Sequence, residues 1–236
     1  SCNQLLGRKS MKTFRLFLIS LLSICCLSSC EEDDDYVYPS VQLEFLTGRA
    51  GVNGSLATLT RDNGQLLEVA EDASATTASP GDTLRLVANY ETKEVSQNGV
   101  PRVKIYALLQ AISPKPEPAS AFKNGVFTDP VAIQSVWKGN AYLNAVLLVK
   151  MHSAKHLFHF VEEALAIDGE GRTVVYLKLY HDDGDDLQAF TRRAYVSVPL
   201  NGYLLNNTNG VVVYFSVNTY DEGVKTYRYE FAPSSN

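Results

Sequence analysis

Thr173-Val174-Val175-Tyr176-Leu177-Lys178-Leu179-Tyr180 decides the fold class. In an extended chain successive side chains point to opposite faces, so Val175, Leu177 and Leu179 share one side and Tyr176, Lys178 and Tyr180 the other. Working outward, Asp168-Gly169 and Gly171 supply a turn before this strand, and Leu187 to Val198 forms another, stopped by Pro199. Val211 to Asn218 and Val224 to Phe231 read as a pair around Asp221-Glu222-Gly223, after turn clusters at Asn201-Gly202 and Asn206 to Gly210. Upstream, Val131 to Trp137 and Tyr142 to Val149 flank Lys138-Gly139-Asn140, and Leu157 to Ala166 begins as alternating strand. About seven strands at this spacing predict a β-sandwich over residues 124–236.

Residues 113–123 hold the predicted boundary, because Ser113-Pro114-Lys115-Pro116-Glu117-Pro118-Ala119 cannot sit in a helix or donate to a ladder at its prolines. Before it, residues 41–112 read as five short strands. Val41, Leu43 and Phe45 alternate with Gln42 and Glu44; Ser55 to Thr60 and Gln65 to Ala70 flank the hairpin signal Asp62-Asn63-Gly64. Leu84, Leu86 and Ala88 share one face of the next strand, and Val103, Ile105 and Ala107 one face of the last. Five short strands joined by turns predict a small barrel. The chain is expected to be all-β, an N-terminal OB-type barrel followed by a C-terminal β-sandwich.

Met11 to Asp35 carries the address. Met11 reads as the start, with Ser1 to Ser10 upstream of it. Lys12 and Arg15 precede an apolar run from Leu16 to Leu27, the length of a signal-peptide core and short of the roughly 20 residues a spanning helix needs. Leu27-Ser28-Ser29-Cys30 resembles a bacterial lipobox, which implies removal of residues 1–29 and lipidation of Cys30. Glu31, Glu32, Asp33, Asp34 and Asp35 open a tether over residues 30–40, and resemble the acidic export signal of surface lipoproteins in Bacteroidetes. Of the four cysteines, Cys2, Cys25 and Cys26 would go with the leader, so no disulfide is expected. The leader also holds Arg8, Lys9, Lys12 and Arg15 and no acid, so the net charge of −5 becomes −9 after cleavage. Such a balance disfavours nucleic acid as a partner.

With the lipobox and acidic run, the hairpin Leu59-Thr60-Arg61-Asp62-Asn63-Gly64, the strand Val103-Lys104-Ile105-Tyr106, Asp129 to Trp137 and Tyr142-Leu143-Asn144 resemble the NigD-like lipoproteins of Bacteroidetes. The resemblance covers essentially the whole mature chain and implies the same barrel and sandwich. The family name comes from association with a bacteriocin locus, and no catalytic residues come with it.

Candidate chemistry is sparse. His152, His156 and His159 lie within eight residues, but Leu157 to Val161 reads as a strand that turns His159 away from Phe158 and Phe160, so no metal site is expected. His181-Asp182-Asp183-Gly184-Asp185-Asp186 offers carboxylates on a turn, without the EF-hand spacing; a polar turn explains the same letters, and calcium remains open. Trp137 with Tyr142, and Tyr227 with Tyr229, are candidates for an aromatic ligand platform, against ordinary packing. Asp82-Thr83-Leu84 resembles a short O-glycosylation tripeptide. No phosphate loop, nucleophile elbow or nucleophilic cysteine is present. The expectation is a non-enzymatic outer-membrane lipoprotein exposed at the cell surface. It is anchored through Cys30, needs no cofactor, and binds an extracellular ligand or protein. The alternatives are an accessory or self-protection factor linked to bacteriocin production, and a β-sandwich hydrolase.

Overall fold

A computed structural model describes residues 42–206 and 209–233. The leader, Cys30 and the acidic run Glu31–Asp35 lie outside the described residues. Five strands, β1 (Gln42–Ala50), β2 (Leu56–Arg61), β3 (Leu66–Asp72), β4 (Thr83–Val95) and β5 (Pro101–Gln110), close a barrel in the order β1-β2-β3-β5-β4. All pairs are antiparallel except β3 with β5. Asn63-Gly64 turns β2 into β3, and Gly64 takes a φ of +87°, which glycine adopts without a Cβ penalty. Leu46, Leu59, Leu86, Val103 and Ile105 fill the interior.

Two of the alternations behave differently from their simple reading. On β1, Leu46 rather than Phe45 points into the barrel, and Phe45 is buried on the outer side, while Leu43 is exposed. On β5, a bulge at Tyr106 lets Ala107 pair with Asn89 while Ile105 pairs with Tyr90, so Ala107 turns outward and Leu108 packs on the core.

The rest of the chain forms two sheets. β6 (Glu117–Pro118), β9 (Leu157–Ile167), β10 (Thr173–Asp182), β12 (Val211–Thr219) and β13 (Gly223–Phe231) give the order β13-β12-β10-β9-β6. β7 (Ala132–Lys138), β8 (Tyr142–Met151) and β11 (Phe190–Pro199) give the order β11-β8-β7. A short helix, α1 (Asn201–Leu204), follows β11. Leu143, Leu147, Val196, Val175, Leu177, Val213 and Phe215 close the core between the sheets, as their strand alternations require.

β8 is buried almost without interruption from Leu143 to Val149, which a strand covered on one face would not show. Its second face, with Asn144 and Val146, is covered by the barrel: Val146 clusters with Phe45, Val87 and Ala111. The described residues are therefore layered as barrel, three-stranded sheet, five-stranded sheet. No helix among the described residues is long and apolar enough to cross a membrane.

Candidate functional site: the junction of barrel and sandwich

At the centre of the barrel–sheet junction sits Arg85, on β4 between Leu84 and Leu86, with its side chain 5% exposed. Because Leu84 and Leu86 point into the barrel, Arg85 must point out of it, and there the sheet waits rather than water. Its Nε donates to Ser197 Oγ at 2.9 Å. Nη1 donates to Thr47 Oγ1 at 3.2 Å and meets Asp62 Oδ1 at 2.7 Å. Nη2 donates to Asp62 Oδ2 at 2.8 Å and to Asn144 Oδ1 at 3.0 Å. All five guanidinium donors thus have acceptors, the condition for burying such a charge.

The acceptors are tied to one another. Asn144 Nδ2 donates to Asp62 Oδ2 at 2.7 Å, and Ser197 Oγ donates to Asn144 Oδ1 at 2.7 Å. The Tyr142 ring lies 3.7 Å from Arg85 Cζ, a cation–π contact. The two hairpin turns also meet directly, since Asn140 N–H donates to the Asp62 carbonyl at 3.0 Å. A Cβ on Gly139 would lie 2.6 Å from Asp62 Cγ, so glycine is what lets the hairpins approach.

Beside this network opens a cleft of about 1030 Å³, walled by Arg85 and Tyr142, the linker from Ser113 to Pro116, Glu162 on β9 and Tyr203 on α1. Tyr203 donates its hydroxyl to Glu162 Oε2 at 2.5 Å. Burial, reinforced by that carboxylate, pushes the Tyr203 phenol well above its ordinary range. Around Tyr203 the cleft continues into a shallower groove of about 300 Å³ beside Leu165 and Ile167.

The two aromatic pairs named as platform candidates lie on different sheets. Trp137 packs edge-on against Phe45, with ring centroids 5.4 Å apart, and Tyr142 lies under Arg85. Tyr229 packs on the inter-sheet core and donates to the Val136 carbonyl at 2.9 Å, while Tyr227 pairs with Phe215 across β12 and β13. Strand alternation explains the split: Trp137 and Tyr142 face the barrel, and Tyr227 and Tyr229 lie on the other sheet.

The histidines also separate. His159 turns away from the core against Phe122. His156 Nδ1 faces His181 Nε2 at 2.9 Å, and its Nε2 lies 3.4 Å from Asp186. His181 is stacked on Phe158 and held by the Asp129 carbonyl at 2.9 Å; burial keeps its protonation below the ordinary histidine range. The carboxylates of the acidic turn accept backbone N–H groups: Asp182 that of Gly184, Asp183 that of Asp185, and Asp186 those of His152 and Ser153. The His152 N–H at 2.6 Å is the main reason the Asp186 carboxyl is held well below the usual carboxylate range. Among the described residues, no group of three or more His, Cys, Asp or Glu side chains is arranged to hold a metal. Thr83 opens β4 on the wall of the cleft.

Sequence reading missed Arg85 and Ser197 altogether. Asp62 and Asn144 were within the stretches that carry the family resemblance, but without a role, and Tyr142 was named only as a candidate for an aromatic platform. A charged residue inside the apolar run Leu84-Arg85-Leu86-Val87-Ala88 was the available signal.

The comparisons agree with this architecture. A family described as the NigD-like C-terminal beta sandwich domain matches residues 114–231. A NigD-like immunity protein from Bacteroides caccae is 35% identical, with a TM-score of 0.70, covering 84% of this chain and 100% of that one. A protein of unknown function from Bacteroides vulgatus is 20% identical and shares the fold, with a TM-score of 0.63 over 84% of this chain and 96% of its own. No curated protein matches the chain. With a family domain over its second half and a 35% identical relative matched over 84% of its length, this chain belongs to the NigD-like family.

Proposed function

We propose that this protein is a lipid-anchored, non-enzymatic binding module at the cell surface that protects its own cell against a bacteriocin. One observation carries the reading: a relative 35% identical, all of whose chain is covered, is described as an immunity protein. The junction supports a binding role in preference to a catalytic one. Arg85, Asp62, Asn144 and Ser197 satisfy one another, and what they hold open is a cleft roughly the size that ligand sites occupy. Anchoring through Cys30, with the acidic run behind it, would hold this cleft outside the cell, where a secreted toxin arrives.

The test is protection. A bacteriocin-sensitive strain expressing the chain is challenged with supernatant from a bacteriocin-producing relative, beside the same strain expressing C30A. Survival of the wild type and killing of the variant is the expected result. Equal killing of both would end the immunity reading. Protease shaving of intact cells should remove the wild-type protein; resistance until lysis would place it on the periplasmic side instead.

A further inference from the structure

The five-stranded sheet has an unfinished edge. β6 pairs with β9 in parallel over two residues only, Glu117 with Val161 and Pro118 with Glu162, and the chain then leaves as a 3-10 turn over Ala119–Ala121. From Glu163 to Ile167, β9 is the last strand of the sheet among the described residues. The direction of its free groups follows from the ladder. Thr173 N–H donates to Gly210, on the β12 side, so the Thr173–Ile167 pair is not hydrogen-bonded, and neither is Val175–Leu165 two residues on. The N–H and C=O of Leu165 and Ile167 therefore point away from β10. The same two residues turn their side chains to the inter-sheet side, where no strand of the narrower sheet covers them: Leu165 is 53% and Ile167 66% exposed.

At the head of this edge stands Glu162. One carboxylate oxygen takes the Tyr203 hydroxyl, and among the described residues no cation pairs with it, whereas the neighbouring Glu163 is paired with Lys178. Glu117, on β6, is exposed and likewise lacks a cation among the described residues.

We propose that β9 from Glu163 to Ile167 is a docking edge for an extended, basic peptide segment of a partner. The peptide would pair with the sheet where β6 stops, set alternate apolar side chains into the groove of Leu165, Ile167 and Tyr203, and place a cation against Glu162. A row of outward N–H and C=O groups is a template for another backbone, and strand addition of this kind obtains affinity from main-chain bonds and selectivity from pockets for alternate side chains. Taken with the immunity reading, on which its biological meaning rests, the segment belongs to the toxin.

The test uses the full-length protein in detergent and an array of synthetic hexapeptides of alternating valine and threonine, ending in lysine or in glutamate. Binding is read by fluorescence anisotropy. Lysine-ended peptides should bind, and N-methylation of the edge-facing amides should weaken them about tenfold per bond lost. I167P, which removes an outward N–H without breaking the β10 ladder, should weaken binding similarly, while I167T should keep most of it. E162Q should erase the preference for lysine over glutamate. Absence of binding up to millimolar peptide, or binding indifferent to I167P, overturns the proposal. Self-association abolished by I167P without peptide binding overturns it in favour of a second copy. Peptide binding without protection in the survival assay would uphold the edge and remove the immunity reading; protection that persists in I167P would do the reverse.

Discussion

The two faces of the sheet β7–β8–β11 bury themselves by different chemistry. Toward the five-stranded sheet, Leu143, Ala145, Leu147, Val196 and Val198 make an apolar layer. Toward the barrel, the alternating partners on the same strands are Tyr142, Asn144, Val146, Tyr195 and Ser197, and a charged arginine is inserted among them. Apolar burial is non-directional and tolerates sliding; a guanidinium with five acceptor contacts fixed on three strands and one hairpin turn does not. The difference teaches that the sandwich is held chiefly by the area it buries, and the barrel is held at one angle by geometry.

The largest effect expected on that comparison comes from R85A. It leaves the Asp62 carboxylate, 18% exposed, without its cation, and Asn144 and Ser197 without their shared donor. Breaking a buried pair from one side costs about 3–5 kcal/mol. Urea unfolding should show the loss as a lowered midpoint, and a loss under about 1 kcal/mol would mean that water replaces the guanidinium freely. Next is G139A, whose new methyl must displace Asp62 and, through it, Arg85. Overpacking of this kind costs about 1–3 kcal/mol, and D62A should relieve most of it in a double-mutant cycle.

These residues also mark where the sequence was readable and where it was not. Alternation placed Leu84, Leu86 and Ala88 together, and Val175, Leu177 and Leu179 together, because each set answers to a single core. Alternation says nothing about a second layer. Phe45 and Arg85 lie on the outer side of the barrel, a position that for an isolated domain means solvent, and only the arrival of β8 and β11 more than fifty residues later makes it an interior. Ala107 escaped for a local reason, since a bulge inserts one residue and reverses every side chain after it. The free edge of β9 was invisible too, because which strands flank it depends on nonlocal pairing.

A smaller effect concerns the polar group that the apolar interior does accept. His181, stacked on Phe158, faces His156, the Asp129 carbonyl and carboxylate, and Asp183. Burial sets its folded-state pKa below the ordinary 6.5, so protons bind the unfolded chain better. The stability it contributes is complete above 6.5 and declines as pH falls below that value. Asp186, also depressed, loses its contribution only at lower pH, below the ordinary aspartate value of 3.8. Urea midpoints taken at about pH 7.5 and about pH 5.5 should fall in the wild type and fall less in H181Q. An equal fall in both would assign the slope elsewhere.

The smallest expected change in stability is the most informative about the comparison itself. Arg85→Met with Asp62→Leu and Asn144→Leu would give the barrel-facing side the same apolar character as the other face. Replacement of a whole buried ionic set by hydrophobic groups of similar size is often neutral within about 1 kcal/mol, or stabilising. Stability should therefore hold while the angle between barrel and sandwich loosens. Looser packing would appear as a broadened small-angle scattering distribution and faster trypsin cleavage at Lys115 in the linker. A triple variant as rigid as the wild type would show that Phe45, Val87 and Val146 already set the angle by shape alone. Arg85 would then be a charge the junction tolerates rather than one that orients it.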